Sequence, residues 1–387
     1  MINIDKKVAW VEVNLDNLEF NYNELRKRVP DSAKMCMVIK ADGYGHGAVE
    51  LAKFYEYIGA DFFAVSRAKE AKELRDAGVK SPILNLGVTL EDEYEYMVER
   101  DLSMTIFDYN VASKINEIAK SMGKVARLHI KLDTGMSRIG YVVEGRLDYV
   151  VGEIKKISQL ENIRLEGMFT HFANADEANP EFKNIQLARF KSVVDSLEEE
   201  GIKIELIHCS NSAAILNDDD DFNMVRPGVI QYGVYPSDEV EKNVAIKPVM
   251  SFKCRVANIK ELGSGVSVGY GRNYFTSKTE RIATITIGYA DGFLRGRKGA
   301  YVYINGQKCP VTGNICMDQT MVRLPDGLDV KIGDEVLLFG EEYVTVEDVA
   351  RECSTIVHEV WCNINRRVDR IYKRNGEFVK LVDYLDK

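Results

Sequence analysis

Met35-Cys36-Met37-Val38-Ile39-Lys40-Ala41-Asp42-Gly43-Tyr44-Gly45-His46-Gly47 is the stretch that decides how this chain is read. Five apolar residues end in a lysine and run at once into a glycine-rich loop. The apolar run reads as a buried parallel strand. A lysine at the end of such a strand either snorkels its ammonium to solvent or has a chemical task. A desolvated lysine loses its proton readily and becomes an amine nucleophile suited to a Schiff base.

Working outward, seven more strand candidates follow the segment 34–40: 62–66, 82–87, 103–108, 126–133, 164–172, 204–210 and 223–233. Helical patterns lie between them, as at 68–77, 110–122, 147–157 and 182–200. Eight strands alternating with helices predict an α/β fold, a TIM-type (β/α)8 barrel. Polar groups gather where these strands finish. Lys40 ends the first, and the fifth runs through His129-Ile130-Lys131-Leu132-Asp133 into a loop ending in Arg138. Thr170-His171 end the sixth, His208 and Ser210-Asn211-Ser212 the seventh, and Arg226-Pro227-Gly228 lie in the eighth. In a barrel those ends share the face where chemistry is placed. The expected division is a barrel over 1–243 and a mostly β C-terminal domain over 244–387. The second part has β-rich segments at 249–262, 281–288, 300–304 and 335–339, separated by turn signals such as Asn305-Gly306. The leading strand at 8–15 could join either part.

Composition narrows the function. A chain of 387 residues exceeds one ordinary core. A net charge of -9 with no basic block argues against nucleic acid as the main partner. The opening residues lack a signal-peptide core, and no apolar run is long enough to span a bilayer. Seven cysteines without a C-x-x-C pair read as reduced cytosolic thiols, not a metal site. The expected location is therefore cytoplasmic. The acidic run Asp218–Asp221 reads as a solvated loop, His129 as structural, and His46 as serving its own loop.

The loops after the seventh and eighth strands, Ser210-Asn211-Ser212 and Pro227-Gly228-Val229, offer hydroxyls and backbone N–H groups suited to a phosphate, or are two ordinary βα turns. A Schiff-base lysine together with a phosphate cradle implies pyridoxal 5'-phosphate. With these residues the chain resembles the alanine racemase family over nearly its whole length. The likeness takes in Asp133-Thr134-Gly135-Met136-Ser137-Arg138-Ile139-Gly140, Thr170-His171-Phe172, His208 through Ser212, Arg226-Pro227-Gly228, Gly269-Tyr270-Gly271, Gly288-Tyr289-Ala290-Asp291-Gly292 and Cys316-Met317-Asp318-Gln319.

The resemblance implies a homodimer with shared active sites that racemises L- and D-alanine and supplies D-alanine for peptidoglycan. It implies that Lys40 holds the cofactor and acts on one face of the substrate. Tyr270 of a partner subunit acts on the other face, with His171 supporting it. Arg226 faces the pyridine nitrogen, and Arg138 contacts the cofactor ring oxygen and the substrate carboxylate. Tyr44, Ser212 and the backbone at Gly228 and Val229 hold the phosphate, and Asn211 and His358 are counted with the cofactor-binding residues. Met317, Asp318 and Tyr289 line the substrate site, Asp176 its entrance, and Lys131 matches a lysine often carbamylated beside Arg138. The chemistry agrees, because racemisation needs acid/base groups on opposite faces. An arginine at the pyridine nitrogen does not readily surrender its proton.

Four places depart from the family pattern. Asp42-Gly43 replaces asparagine-alanine, and Asp369 stands where proline is usual. His358 replaces a tyrosine, and Asn314 replaces an arginine at the entrance. The last two shorten side chains, which either reflects drift or admits serine, lysine or a broader set of amino acids. A basic-amino-acid decarboxylase shares the barrel-plus-β plan but expects an acidic partner for the pyridine nitrogen, which Arg226 is not. A non-catalytic pyridoxal-phosphate carrier would lack the second domain and Tyr270.

Overall fold

Eight short strands of the computed structural model, which describes residues 4–217, 222–297 and 299–386, form a parallel sheet closed on itself. They are β1 (Lys34–Val38), β2 (Phe62–Val65), β3 (Ile83–Asn85), β4 (Ser103–Ile106), β5 (Ala126–Asp133), β6 (Ile163–Phe169), β7 (Leu206–His208) and β8 (Met224–Val225). Neighbours pair in parallel from β8 to β1 and onward to β7. Two backbone bonds, Asn223 N–H to Ile207 O and Arg226 N–H to Ser210 O, join the two ends and complete the barrel. The strands are nearly all buried, with Met35, Phe63, Leu84, Met104, Ile130 and Met168 fully so. They therefore read as apolar runs and not as alternating patterns. Amphipathic helices such as Ala68–Asp76, Tyr109–Ser121, Leu147–Ser158 and Glu181–Glu199 connect them.

Contacts divide the chain into residues 20–43 with 48–246, the barrel unit, and residues 1–19 with 44–47 and 247–387, the β unit. Relative to a cut between 243 and 244, two short N-terminal pieces group with the β unit. The leading strand is one of them. Ala9–Asn14 lies between Met250–Leu262, antiparallel, and Asp369–Arg374, parallel. Asn305-Gly306 makes the two-residue hairpin between Tyr301–Ile304 and Gln307–Pro310. Both turn residues have positive φ, which matches strand twist and suits this dipeptide.

Several strands are shorter than their apolar runs. The segment 223–233 is strand only at Met224–Val225 and then a 3-10 turn over Val229–Tyr232. Burial continues past the last ladder bond, so hydrophobicity alone overextends a barrel strand. The run Asp218–Asp221 lies outside the described residues.

Candidate active site

In the barrel unit the polar strand ends assemble on one rim. Lys40 follows β1 and opens a short turn, Lys40–Tyr44, whose Ala41, Asp42 and Gly43 all have left-handed backbone angles. Such angles cost an ordinary residue about 1–2 kcal/mol, so the turn needs fixing from outside. Glu70 supplies this, its carboxylate accepting from the N–H groups of Ala41, Ser66 and Arg67. Asp42 accepts from Ala48 N–H at 2.9 Å. Asp and Asn both tolerate the left-handed region, which accounts for Asp42 in place of the commoner asparagine.

At the end of β5, Asp133 accepts from the N–H groups of Gly135 and Ser137 and shapes the loop that presents an exposed Arg138. Lys131 is buried, and desolvation with the charges of Arg226 and Arg138 pushes its amine down to about 7 despite Asp133. His171 follows β6. Burial first, then Arg226, Arg138, Lys131 and Lys40, hold its imidazole well below the ordinary value of 6.5. It is therefore neutral at pH 7.

Asn211 caps the short helix Ser212–Leu216. Ser212 Oγ accepts from Gly228 N–H at 2.8 Å, so this amide is engaged within the chain while the serine keeps its own O–H to donate. Val229 begins the 3-10 turn that follows. Arg226 is only 3% exposed. It donates to His208 Nδ1 at 2.7 Å and to the carbonyls of Thr170 and Cys209. Burial draws its guanidinium down to about 10, which still leaves it charged at pH 7.

This rim brings several cations together with few acids. An amine, a hydroxyl and guanidinium groups in a cation-rich setting fit a phosphorylated aldehyde and an amino-acid carboxylate. The donor set thus fits the cofactor expected from sequence.

The β unit holds the remaining predicted residues. Asn314 Nδ2 donates to Tyr270 O at 2.7 Å. The position with the shortened side chain therefore fixes the Tyr270 loop. Tyr289 and Ala290 donate backbone N–H to Cys316 and Met317. Gly288 is needed there, since a Cβ would lie 2.2 Å from Met317 O. Arg367 donates to Asp291 at 2.6 Å and to Asp318 at 2.7 Å, tying the two loops. The result is a patch with Tyr270 73%, Met317 53% and Tyr289 40% exposed.

Tyr44 lies with its ring 5.5 Å from that of His358, and burial pushes its phenol far above the ordinary value. Gly45 and Gly47 are explained here: a Cβ on either would strike Trp361 O or Tyr372 Oη. His46 Nδ1 meets Tyr44 O at 3.0 Å, and its ring stands edge-on to Trp361. Asp369, in place of proline, pairs with Lys7 at 2.9 Å.

Sequence reasoning missed Glu70, Arg367 and Glu166, a buried carboxylate inside β6. Glu166 and His129 are polar residues within two adjacent apolar runs, and that was the available signal.

The alanine racemase N-terminal domain model matches residues 13–236, and the C-terminal domain model matches 249–372. The chain is 42% identical over 380 residues to Alanine racemase 2 of Caldanaerobacter subterraneus subsp. tengcongensis, covering 97% of each. Its fold matches an alanine racemase structure from Clostridium difficile 630 with TM-score 0.97 and 48% identity, over 99% of this chain and 100% of that one. A cycloserine complex of alanine racemase from the same organism matches with TM-score 0.94 and 46% identity over the full length of both. With the strand-end residues in place and both domain models matched in order, this chain belongs to the alanine racemase family.

Proposed function

We propose that this chain interconverts L- and D-alanine with pyridoxal 5'-phosphate and so supplies D-alanine for peptidoglycan in the cytoplasm. The observation that supports it most is the acid-poor cluster of Lys40, Lys131, Arg138 and Arg226 around a neutral His171. Bound pyridoxal phosphate supplies electron withdrawal that makes the α proton of the amino acid removable. Lys40 takes or returns that proton on one face. Tyr270 of a second copy serves the opposite face, and a homodimer brings it there. Its 73% exposure accords with a residue that acts against another chain.

Arg226 is held charged and stays a donor toward the pyridine nitrogen, which favours reprotonation at the α carbon over side reactions. Arg138 receives the substrate carboxylate, beside Met317, Asp318 and Tyr289 of the second copy, and His171 supports Tyr270. Ser212 donates its hydroxyl to the phosphate, with Asn211, Val229 and Gly228 shaping that loop; the resemblance also gives Tyr44 to the phosphate, and His358 stands where the family's phosphate-touching tyrosine is usual. Lys131 has a neutral fraction near pH 7, the form that carbon dioxide carbamylates. The anion so formed relieves its repulsion with Arg138. The functional division near 243 and 244 is supported by the spans of the two family models.

Alanine is favoured over serine, lysine or a broad range by relatives named alanine racemase. Chiral chromatography after incubation with each L-amino acid tests both points. Fastest D-product from alanine is expected. Preferred turnover of serine or lysine overturns the substrate, and amine formation with loss of carbon dioxide overturns the reaction.

A further inference from the structure

Behind Arg226 a line of buried polar side chains runs into the barrel interior. Arg226 Nη1 lies 2.7 Å from His208 Nδ1. His208 Nε2 lies 3.0 Å from His129 Nδ1, and His129 Nε2 lies 3.1 Å from Glu166 Oε2. Ser103 donates to Glu166 Oε2 at 2.5 Å, and Arg127 to Oε1 at 3.2 Å. His129, His208, Glu166 and Ser103 are all buried.

The backbone is arranged for this line. The β5–β6 register slips between Leu128 and His129, which pair with Leu165 and Gly167, so Glu166 is the extra residue of a bulge. A bulge re-aims a side chain, and here a carboxylate is turned among apolar neighbours. Gly167 leaves room for the imidazole, since a Cβ there would lie 2.3 Å from the His129 ring.

Hydrogen counting fixes the direction of every bond. Arginine only donates, so His208 Nδ1 offers its lone pair and His208 Nε2 carries the proton. That proton points at His129 Nδ1, which must accept, so His129 carries its proton on Nε2 and donates a hydrogen bond to the carboxylate. Burial alone would raise the Glu166 carboxyl, but the bonds from His129 and Ser103 and the charge of Arg127 hold it below the ordinary carboxylate range. It is therefore an obligatory acceptor at neutral pH. Among the described residues no carboxylate touches Arg226 itself. The anion at the far end of the line, itself paired with Arg127 at 3.2 Å, orients the two imidazoles that lead to Arg226.

We propose that Glu166 is a positioning residue that sets the tautomers of His129 and His208 and thereby keeps Arg226 pointed and protonated as a donor. No proton moves along the line; it is a fixed orientation. The catalytic consequence rests on the reading of Arg226 as the partner of the pyridine nitrogen, whereas the tautomers do not.

Glu166→Gln is the sharp variant. The amide oxygen is drawn to Arg127, which turns the amide N–H groups toward His129. His129 must then accept at Nε2 and carry its proton on Nδ1, His208 follows, and its Nδ1–H confronts Arg226. Two-bond proton–nitrogen spectra of cofactor-loaded enzyme labelled with 15N-histidine read the tautomers directly. Both rings are expected to be protonated on Nε2 in the unmodified enzyme and on Nδ1 in Glu166→Gln. kcat for alanine falls by roughly tenfold with little change in KM, the split expected when a transition-state interaction is lost.

Ser103→Ala, which keeps the charge, should retain the original tautomers. An Nδ1 proton on either ring of the unmodified enzyme overturns the proposal, whether or not the glutamine variant folds. So do unchanged tautomers in Glu166→Gln, or flipped ones in Ser103→Ala. The absorption band of lysine-bound cofactor, recorded on the same sample, separates the two failures. Its absence removes the proposed function, and its presence beside the wrong tautomers removes only this role of Glu166.

Discussion

The barrel rim and the loops of the β unit treat water in opposite ways. On the rim, Arg226, Lys131, Ser212 and His208 are buried, and each is anchored by partners within its own unit. In the β unit, Tyr270, Met317 and Tyr289 stand out in solvent on loops whose backbones are firmly tied. One half of the proposed chemistry is preorganised by a single chain. The other is a rigid presentation of an aromatic and thioether surface, of the kind that another protein surface covers. That contrast supports a site completed by a second copy.

The strongest test of the contrast is Lys40→Ala. It should lower kcat by about 10⁴-fold or more and remove the visible absorption of lysine-bound cofactor. A retained band would take Lys40 out of its role. Tyr270→Phe should cost on the order of 10²-fold to 10³-fold in kcat. It should leave thermal stability within about 0.5 kcal/mol, since only the hydroxyl is removed and no packing within its own chain is lost. Exchange of the α proton should slow far more from the L enantiomer than from the D enantiomer. Equal slowing in deuterated water refutes the assignment of opposite faces.

The smallest effect concerns stability. Glu166 falls from an ordinary 4.5 to about 2 in the fold. Its folded value is the lower one, so its contribution is complete above pH 4.5 and is lost as pH falls from there through 2. Acid unfolding of Glu166→Gln, followed by circular dichroism, should lose that limb. An identical acid limb would mean that the barrel interior does not draw on this carboxylate.

The barrel and its rim were legible because polar residues follow buried apolar runs, and strand order puts those ends together. The rim positions of Lys40, His171, Ser212 and Arg226 could be read this way. Other features depended on pairing or backbone angle, which residue type does not announce. Glu166 looked like one more residue of a strand, because a one-residue bulge is invisible without its partner strand. The left-handed angles at Ala41 and Tyr44 are unusual for their residue types, although the neighbouring glycines hinted at a special turn. Asn314 read as a shortened entrance side chain, and its amide also holds the Tyr270 backbone, a contact that needs the fold to be seen. The leading strand was ambiguous because its partners lie near the far end of the chain.

That last arrangement bears on how the protein is made. Ala9–Asn14 emerges from the ribosome early, yet it is an inner strand whose neighbours are residues 250–254 on one side and 369–373 on the other. Until the C-terminal ladder is translated, both of its backbone edges lack their final partners. The β unit therefore closes only after residues 369–373 have been made, and nascent chains stalled before that point would expose a sticky ribbon for chaperones to shield.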